Sequence, residues 1–177
     1  MDPLSSAKTF ATFHHVIRKG QLYGVVPYTH HLQDVERVLR GFGEDGADLL
    51  NASWLHDIVE DTDVKIRDVE ENFGEDVAFL VAAVTSEEGA NRKVRNALTY
   101  PKIREAGPRA IRLKLADRIA NVRNGGGSTK MYVREYPDFR HALFSPDDQL
   151  NSAMWQRLDG LMNDALGEKI WNLWNKL

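Results

Sequence analysis

The segment His56–Thr62 carries side chains whose types and spacing suit metal chemistry. His56 and Asp57 are adjacent, and Glu60 and Asp61 begin three residues after Asp57. An imidazole and a carboxylate at a helix end can both turn toward one ion, and mixed ligands of this kind suit Mn²⁺, Fe²⁺ or Zn²⁺. The second acidic pair is close enough to act on a water molecule beside such an ion. The segment therefore predicts a metal site with an acid pair next to it.

Glu60 and Asp61 also have a structural interpretation. Asp61 belongs to a residue type that caps helices, and Ile66 and Val69 have the spacing of a helix that follows directly. Carboxylates at a helix start are stabilised by the helix dipole. The two roles are compatible, and both stay open at this point.

Helical spacing of apolar residues runs along most of the chain and predicts the all-α class. No segment has the period of a strand, Gln21–Pro27 is predicted to be a loop, and Pro101 is predicted to interrupt a basic segment. Trp171 and Trp174 are predicted to dock on the core. Helices are predicted from Ser5 or Ser6 to Gly20, from Thr29 to Gly41, from Asp45 to Val59, after Asp61 to Gly74, around Val77–Val84, from Pro108 to Val122, and from Ser145 onward.

Two further polar residues fall at positions where they can join the His-Asp pair. His31 lies in the first turn of the helix that Thr29 is predicted to cap. Asp117 lies within the apolar pattern that begins at Pro108. A buried carboxylate is costly unless it is paired, so a metal ion or an arginine is the expected partner of Asp117.

The composition indicates one soluble domain. The chain has 177 residues, of which 42% are hydrophobic and 28% charged, as in ordinary globular proteins. The absence of cysteine excludes thiolate ligands and cysteine nucleophiles and fits a reducing cytoplasm. No apolar run approaches the ~20 residues of a membrane span, and the first residues lack the pattern of a signal peptide. We therefore expect a cytoplasmic protein that does not bind membranes.

The charge is unevenly spread. The net charge is −3, yet Asn91–Arg123 contains ten basic residues against two acidic ones, a local charge of +8. A basic segment in an acidic chain indicates an anionic ligand and argues against stable nucleic-acid binding. A solvated basic helix face is the alternative interpretation.

Taken together, His31, His56-Asp57 and Asp117 match the pattern of the HD-domain phosphohydrolases. More narrowly, the chain resembles the hydrolase domain of RelA/SpoT-type enzymes and their small stand-alone relatives, over about residues 10–123. The matching pieces, in the order of the family, are Pro27–His31, Trp54–Thr62, Phe73–Val77, Val84-Thr85 and Lys114–Asn121.

The resemblance implies an HD-domain helical bundle, with residues 1–177 as one hydrolase domain and C-terminal helices in 130–177 packed on it. It implies one Mn²⁺ per chain, with Fe²⁺ or Zn²⁺ as alternatives, held by His31, His56, Asp57 and Asp117. It also implies that Glu60 and Asp61 act on the water and that the 3′-pyrophosphate of (p)ppGpp is released as pyrophosphate, leaving GDP or GTP. The implied substrate contacts are Lys114, Arg118 and Asn121.

The chain departs from the family in the loop before Tyr28. The family places basic residues there to hold the purine, whereas this chain has Gly20–Gly24. We therefore expect Tyr23 to stack on the base, with Arg18 or Lys19 nearby. A phosphorylated purine nucleotide is the expected ligand. A different phosphorylated nucleotide, such as NADPH or a nucleoside phosphate, stays an alternative substrate, and a nucleotide-binding module without turnover is a third hypothesis.

Overall fold

The computed structural model describes residues 3–125 and 128–167. Helices make up nearly all of its regular structure, which confirms the predicted all-α class. The elements are α1 (Pro3–Ala11), a π-helical segment (Thr12–Arg18), β1 (Leu22–Tyr23), β2 (Val26–Pro27), α2 (Thr29–Gly41), α3 (Ala47–Leu55), α4 (Ile58–Asp61), α5 (Ile66–Phe73), α6 (Glu75–Val84), α7 (Arg92–Ala106), α8 (Pro108–Arg123), α9 (Thr129–Leu143), a 3₁₀ turn (Gln149–Asn151) and α10 (Ser152–Leu166).

α8 is the central helix of the bundle. It contacts α2, α3, α6, α7, α9 and α10, so it is enclosed on nearly all sides. Its buried surface is wider than one apolar face, since Leu113, Ala116 and Ala120 are buried as well as Leu115. Because such a helix has almost no solvent-facing side, its polar residues are buried together with its apolar ones. Asp117 and Arg118 are therefore buried in the core.

The predicted helix Asp45–Val59 is wrong in one respect, because the chain breaks within it. α3 ends at Leu55, and α4 starts at Ile58. His56 keeps helical torsion angles, but Asp57 has φ −102° and ψ 0°, which redirects the chain. The break falls at the two residues predicted to bind metal, so both side chains leave the chain at a bend.

Several predicted boundaries also need correction. Gln21–Pro27 contains a two-stranded antiparallel hairpin, too short to show a strand period in the sequence. Thr29 does not cap α2, which begins without a side-chain cap. Pro101 lies inside α7 and does not interrupt it, because the proline ring removes a single backbone donor and α7 packs on α6, α8 and α9. The last helix begins at Ser152, not at Ser145.

The C-terminal part of the described chain packs on the bundle. Met154, Trp155, Leu158 and Met162 of α10 are buried, and α10 contacts α8 and α9. Trp171, Trp174 and Leu177, for which we predicted docking on the core, lie outside the described residues. That residues 1–177 form a single hydrolase domain stays a prediction. Within residues 3–125 and 128–167, no helix has the length and apolarity needed to cross a membrane.

Arg112 of α8 links the loop after α2 to the 3₁₀ turn and provides a test of the packing. Its guanidinium donates to the Glu44 carboxylate at 3.0 Å and to the carbonyls of Phe42 and Leu150 at 2.7 and 2.9 Å. We expect Arg112→Met to lower the free energy of unfolding by about 3 kcal/mol, because it leaves three acceptors without their donor. Urea denaturation measures the change.

The matched control is Arg67→Met on α5. Arg67 pairs with Glu71, but its side chain is 85% exposed, so the pair contributes under about 0.5 kcal/mol. Equal losses in the two variants would show that the Arg112 contacts do not stabilise the bundle.

Candidate active site

Four side chains from three parts of the chain meet at one point. α2 supplies His31, the bend after α3 supplies His56 and Asp57, and α8 supplies Asp117. The Nε2 atoms of His31 and His56 are 3.4 Å apart. Asp57 Oδ2 lies 2.9 Å from His56 Nε2, and Asp117 Oδ1 lies 3.4 Å from His31 Nε2. The geometry brings together all four residues that the sequence predicted as metal ligands.

The donor set fits a divalent cation. One ligand atom from each of His31, His56 and Asp117 lies within 4.8 Å of the others, and all three residues are buried. His56 Nδ1 lies 2.8 Å from the Ser53 carbonyl, which can only accept a hydrogen bond. The proton of a neutral His56 is therefore on Nδ1, and its Nε2 lone pair faces the cluster, as in metal-binding histidines held by a carbonyl. Two nitrogen and two carboxylate ligands are compatible with several divalent ions.

The charges of the cluster balance one another. Burial would lower the pKa of His56, but Asp57 and Asp117 outweigh it and raise this pKa well above its ordinary value. Burial would raise the pKa of Asp117, yet Lys114 and the two imidazoles hold it well below the usual range. Burial would also raise the pKa of Asp57, but His56 and His31 hold this pKa well below the usual range. Both carboxylates are therefore ionised and available as ligands.

The predicted substrate residues on α8 also support the cluster. Lys114 Nζ lies 2.9 Å from Asp117 Oδ2. The side chain that pairs with Asp117 is therefore a lysine and not the predicted arginine. Burial opposes the charge of Lys114, but Asp117 raises its pKa above the ordinary value. Asn121 donates to Asp117 Oδ1 and accepts from the Tyr23 hydroxyl at 3.0 Å. Arg118 is buried and packs over the Tyr132 ring at 4.5 Å.

Glu60 and Asp61 face the same cavity as the cluster. Glu60 Oε1 accepts from the backbone N–H of Ser86 at 2.7 Å. Asp61 Oδ2 accepts from Gln21 Nε2 at 2.7 Å. Neither residue caps the following helix, since α5 begins after Lys65 and uses Asp68 at its start. The capping role considered for the acid pair is therefore not the one it has, although both acids lie in the first turn of the short helix α4.

The cavity has a volume of about 270 Å³ and is lined mainly by polar groups. Some of its lining was not predicted as site residues from the sequence. Arg92 belongs to the basic segment identified in the sequence. Tyr28 belongs to the matched motif Pro27–His31, and its hydroxyl donates to Asp57. No sequence signal indicated Tyr132, for which burial raises the pKa to about 12. The additional lining residues are Tyr28, Ser86, Arg92, Asn96, Thr99, Tyr100, Ser128 and Tyr132.

Of the residues predicted to lie near the purine, one lines the cavity and two do not. Tyr23 lines the cavity, with its ring stacked on His31 at a centroid distance of 5.0 Å. Arg18 instead lines a separate surface groove with His14 and Asp63. The ammonium of Lys19 donates to the main-chain carbonyl of Asp61 and does not line the cavity. The structure therefore does not bring Arg18 and Lys19 to the cavity, because the end of the π-helical segment and the residue after it are exposed to solvent.

Known proteins share this sequence pattern and fold. Residues 7–137 match the family model of the HD domain. The chain is 34% identical over 122 residues to human guanosine-3′,5′-bis(diphosphate) 3′-pyrophosphohydrolase MESH1, covering 68% of each chain. Drosophila melanogaster MESH1 is 34% identical over 118 residues, covering 65% of each.

The solved structure of a metazoan ortholog of SpoT that hydrolyses ppGpp has a similar fold. It superposes with a TM-score of 0.78 over 93% of this chain and 96% of that chain, at 25% identity. These matches confirm the resemblance to SpoT-type hydrolases and the helical bundle expected from it. The chain therefore belongs to the HD-domain family.

Proposed function

We propose that this chain is a metal-dependent hydrolase that removes the 3′-pyrophosphate of (p)ppGpp, giving GDP or GTP and pyrophosphate. The observation that carries the proposal is the cluster of His31, His56, Asp57 and Asp117, which opens into a cavity lined also by an acid pair and three cationic side chains. The names of the MESH1 relatives support this choice of substrate.

The proposed cofactor is one Mn²⁺ per chain, with Fe²⁺ or Zn²⁺ as alternatives. His31, His56, Asp57 and Asp117 would hold it. A divalent ion at this place supplies an acidified water molecule and polarises a phosphoryl oxygen. Ligands of this mixed type bind several of these ions with comparable geometry, so the identity of the metal has to be measured.

The chain's own residues would carry out the remaining steps. Glu60 or Asp61 orients the attacking water and takes its proton, and one of them can protonate the leaving oxygen. Lys114 and Arg92 place fixed positive charges beside the transferred phosphates, and Arg92 can bind phosphate in bidentate fashion. Asn121 holds Asp117 in place and offers a polar contact to the substrate.

The purine would lie against Tyr23, at the side of the cavity where the hairpin is. Because Arg18 and Lys19 do not line the cavity, no guanidinium or ammonium from this loop is aimed at a guanine oxygen there. This observation favours weak discrimination between guanine and adenine. It also supports other phosphorylated nucleotides as a second candidate substrate class. A cytoplasmic location is part of the same proposal.

The test is a steady-state assay of metal-free protein reconstituted with Mn²⁺. We expect turnover of ppGpp with release of pyrophosphate, and turnover of its adenine analogue within about tenfold, a difference of roughly 1.4 kcal/mol in the barrier, because neither Arg18 nor Lys19 lines the cavity. Preference for NADPH or a nucleoside monophosphate, with ppGpp intact, would select the alternative substrate class. Metal binding without turnover of any of these compounds would indicate a binding module.

A further inference from the structure

A line of hydrogen bonds runs from a buried histidine to the acid pair. His15 Nδ1 lies 2.7 Å from Gln21 Oε1, and Gln21 Nε2 lies 2.7 Å from Asp61 Oδ2. His15 is completely buried, whereas Gln21 and Asp61 are partly exposed. Nothing in the proposed chemistry so far uses His15 or Gln21.

Chemistry fixes the direction of both hydrogen bonds. A carboxylate only accepts, so the amide nitrogen of Gln21 points to Asp61 and its oxygen points to His15. That oxygen also only accepts, so His15 carries a proton on Nδ1. Burial lowers the pKa of His15, which keeps the imidazole neutral with Nε2 as its unprotonated nitrogen. Nε2 is buried without a hydrogen-bond partner among the described residues, which costs less for a lone pair than for an N–H.

The backbone holds the same two residues together. Gly20 has φ +63°, the left-handed region that favours glycine, and this turn lets the backbone N–H of Gln21 donate to the His15 carbonyl at 2.8 Å. The Gln21 carbonyl accepts from the N–H of Tyr28 at 3.1 Å. His15 lies in the π-helical segment, a local irregularity that is common at functional sites. Gln21 is thus fixed by its backbone before its side chain reaches Asp61.

We propose that Gln21, oriented by His15, is a positioning residue that holds the Asp61 carboxylate in one rotamer facing the cavity. The proposal rests on the proposed function, in which Asp61 is an acid that acts on the water. Oδ2 of Asp61 is occupied by the Gln21 amide, which leaves Oδ1 for the water or the leaving oxygen. Lys19 holds the carbonyl of the same residue, so Asp61 is fixed at both its main chain and its side chain.

The first test is Gln21→Met, which keeps the length of the side chain and removes both hydrogen bonds. We expect kcat to fall about tenfold with KM within about twofold, because the variant misplaces an acid without removing a substrate contact. Metal content and melting temperature are measured in parallel and should match the wild type. The matched control is Gln156→Met, at an exposed position of α10, which should leave kcat unchanged.

A double-mutant cycle then separates positioning from a general structural effect. If Gln21 acts through Asp61, adding Gln21→Met to Asp61→Ala lowers kcat by no more than about twofold. A full tenfold loss in both backgrounds would overturn the proposal.

The second test does not depend on turnover. Nitrogen NMR of the histidine rings should show His15 as the Nδ1–H tautomer in the wild type, and this preference should disappear in Gln21→Met. An Nε2–H tautomer in the wild type would overturn the proposal. If the wild type leaves ppGpp intact, the proposed function fails, and the tautomer still decides whether His15 orients Gln21.

Discussion

His56→Ala is expected to abolish metal binding and to lower kcat/KM for ppGpp by at least about a thousandfold. The variant removes the predicted ligand that contacts both Asp57 and His31 in the cluster. The proposed ion would supply an acidified water molecule and polarise a phosphoryl oxygen, effects worth several kcal/mol of the barrier, and the variant would lose both. Metal analysis by mass spectrometry and steady-state kinetics measure the two effects.

The control for this experiment is a neighbouring histidine. His30 precedes the predicted ligand His31 on α2 but is exposed and does not line the cavity. His30→Ala should therefore keep one metal ion per chain and activity within about twofold of the wild type, a change worth under ~0.5 kcal/mol. Full metal content in His56→Ala would contradict the predicted ligand set, provided that circular dichroism shows the variant to be folded.

The four residues of the cluster could be singled out from the sequence because their signal is local. His56 and Asp57 are adjacent, and His31 and Asp117 each lie within a short motif whose spacing sets the direction of the side chain. The fold class was accessible for the same reason, since apolar residues with helical spacing recur along most of the chain. A short motif does not describe the backbone around it, however. The bend between α3 and α4 was missed because His56 and Asp57 interrupt a pattern that otherwise continues as a helix.

The rest of the cavity could not be predicted, because its residues are brought together only by packing. Tyr132 lies on α9 and meets Arg118 of α8 across the core, and nothing in its local sequence marks it. Arg18 shows the opposite error. It is close to Tyr23 in sequence, but the π-helical segment places it at a separate groove, and a π-helix of 7 residues is too short for its period to be recognised in the sequence.

Arg112 and Lys114 have different roles in the structure although both contribute to the charge of one basic segment. Both belong to the basic segment whose local charge of +8 predicted an anionic ligand. The structure uses Arg112 to hold Glu44 and two carbonyls on the far side of α8, while Lys114 pairs with Asp117 beside the cavity. The sign of the segment therefore predicts an anionic ligand, but only the fold decides which of the ten basic side chains line the cavity.

Glu60→Gln is expected to lower kcat by a factor of about 10² to 10³ while the metal content and the fold are retained. The variant replaces a group that can take a proton with an amide that cannot, and general acid–base catalysis contributes a factor of this size. Glu60 is exposed to the cavity and lies outside the four-residue cluster, so the ligands are unchanged. Kinetics in Mn²⁺ buffer with metal analysis measure the effect.

The contact made by Glu60 explains why this substitution separates catalysis from structure. Its Oε1 accepts from the backbone N–H of Ser86, and a glutamine oxygen can accept the same hydrogen bond. The segment after α6 therefore stays in place in the variant, and any large loss of turnover reports the missing proton transfer. Glu70→Gln, at an exposed position on α5, is the matched control and should leave turnover unchanged. Activity of Glu60→Gln within about threefold of the wild type, under ~1 kcal/mol of barrier, would leave Glu60 only the role of anchoring Ser86 and assign the proton transfer to Asp61.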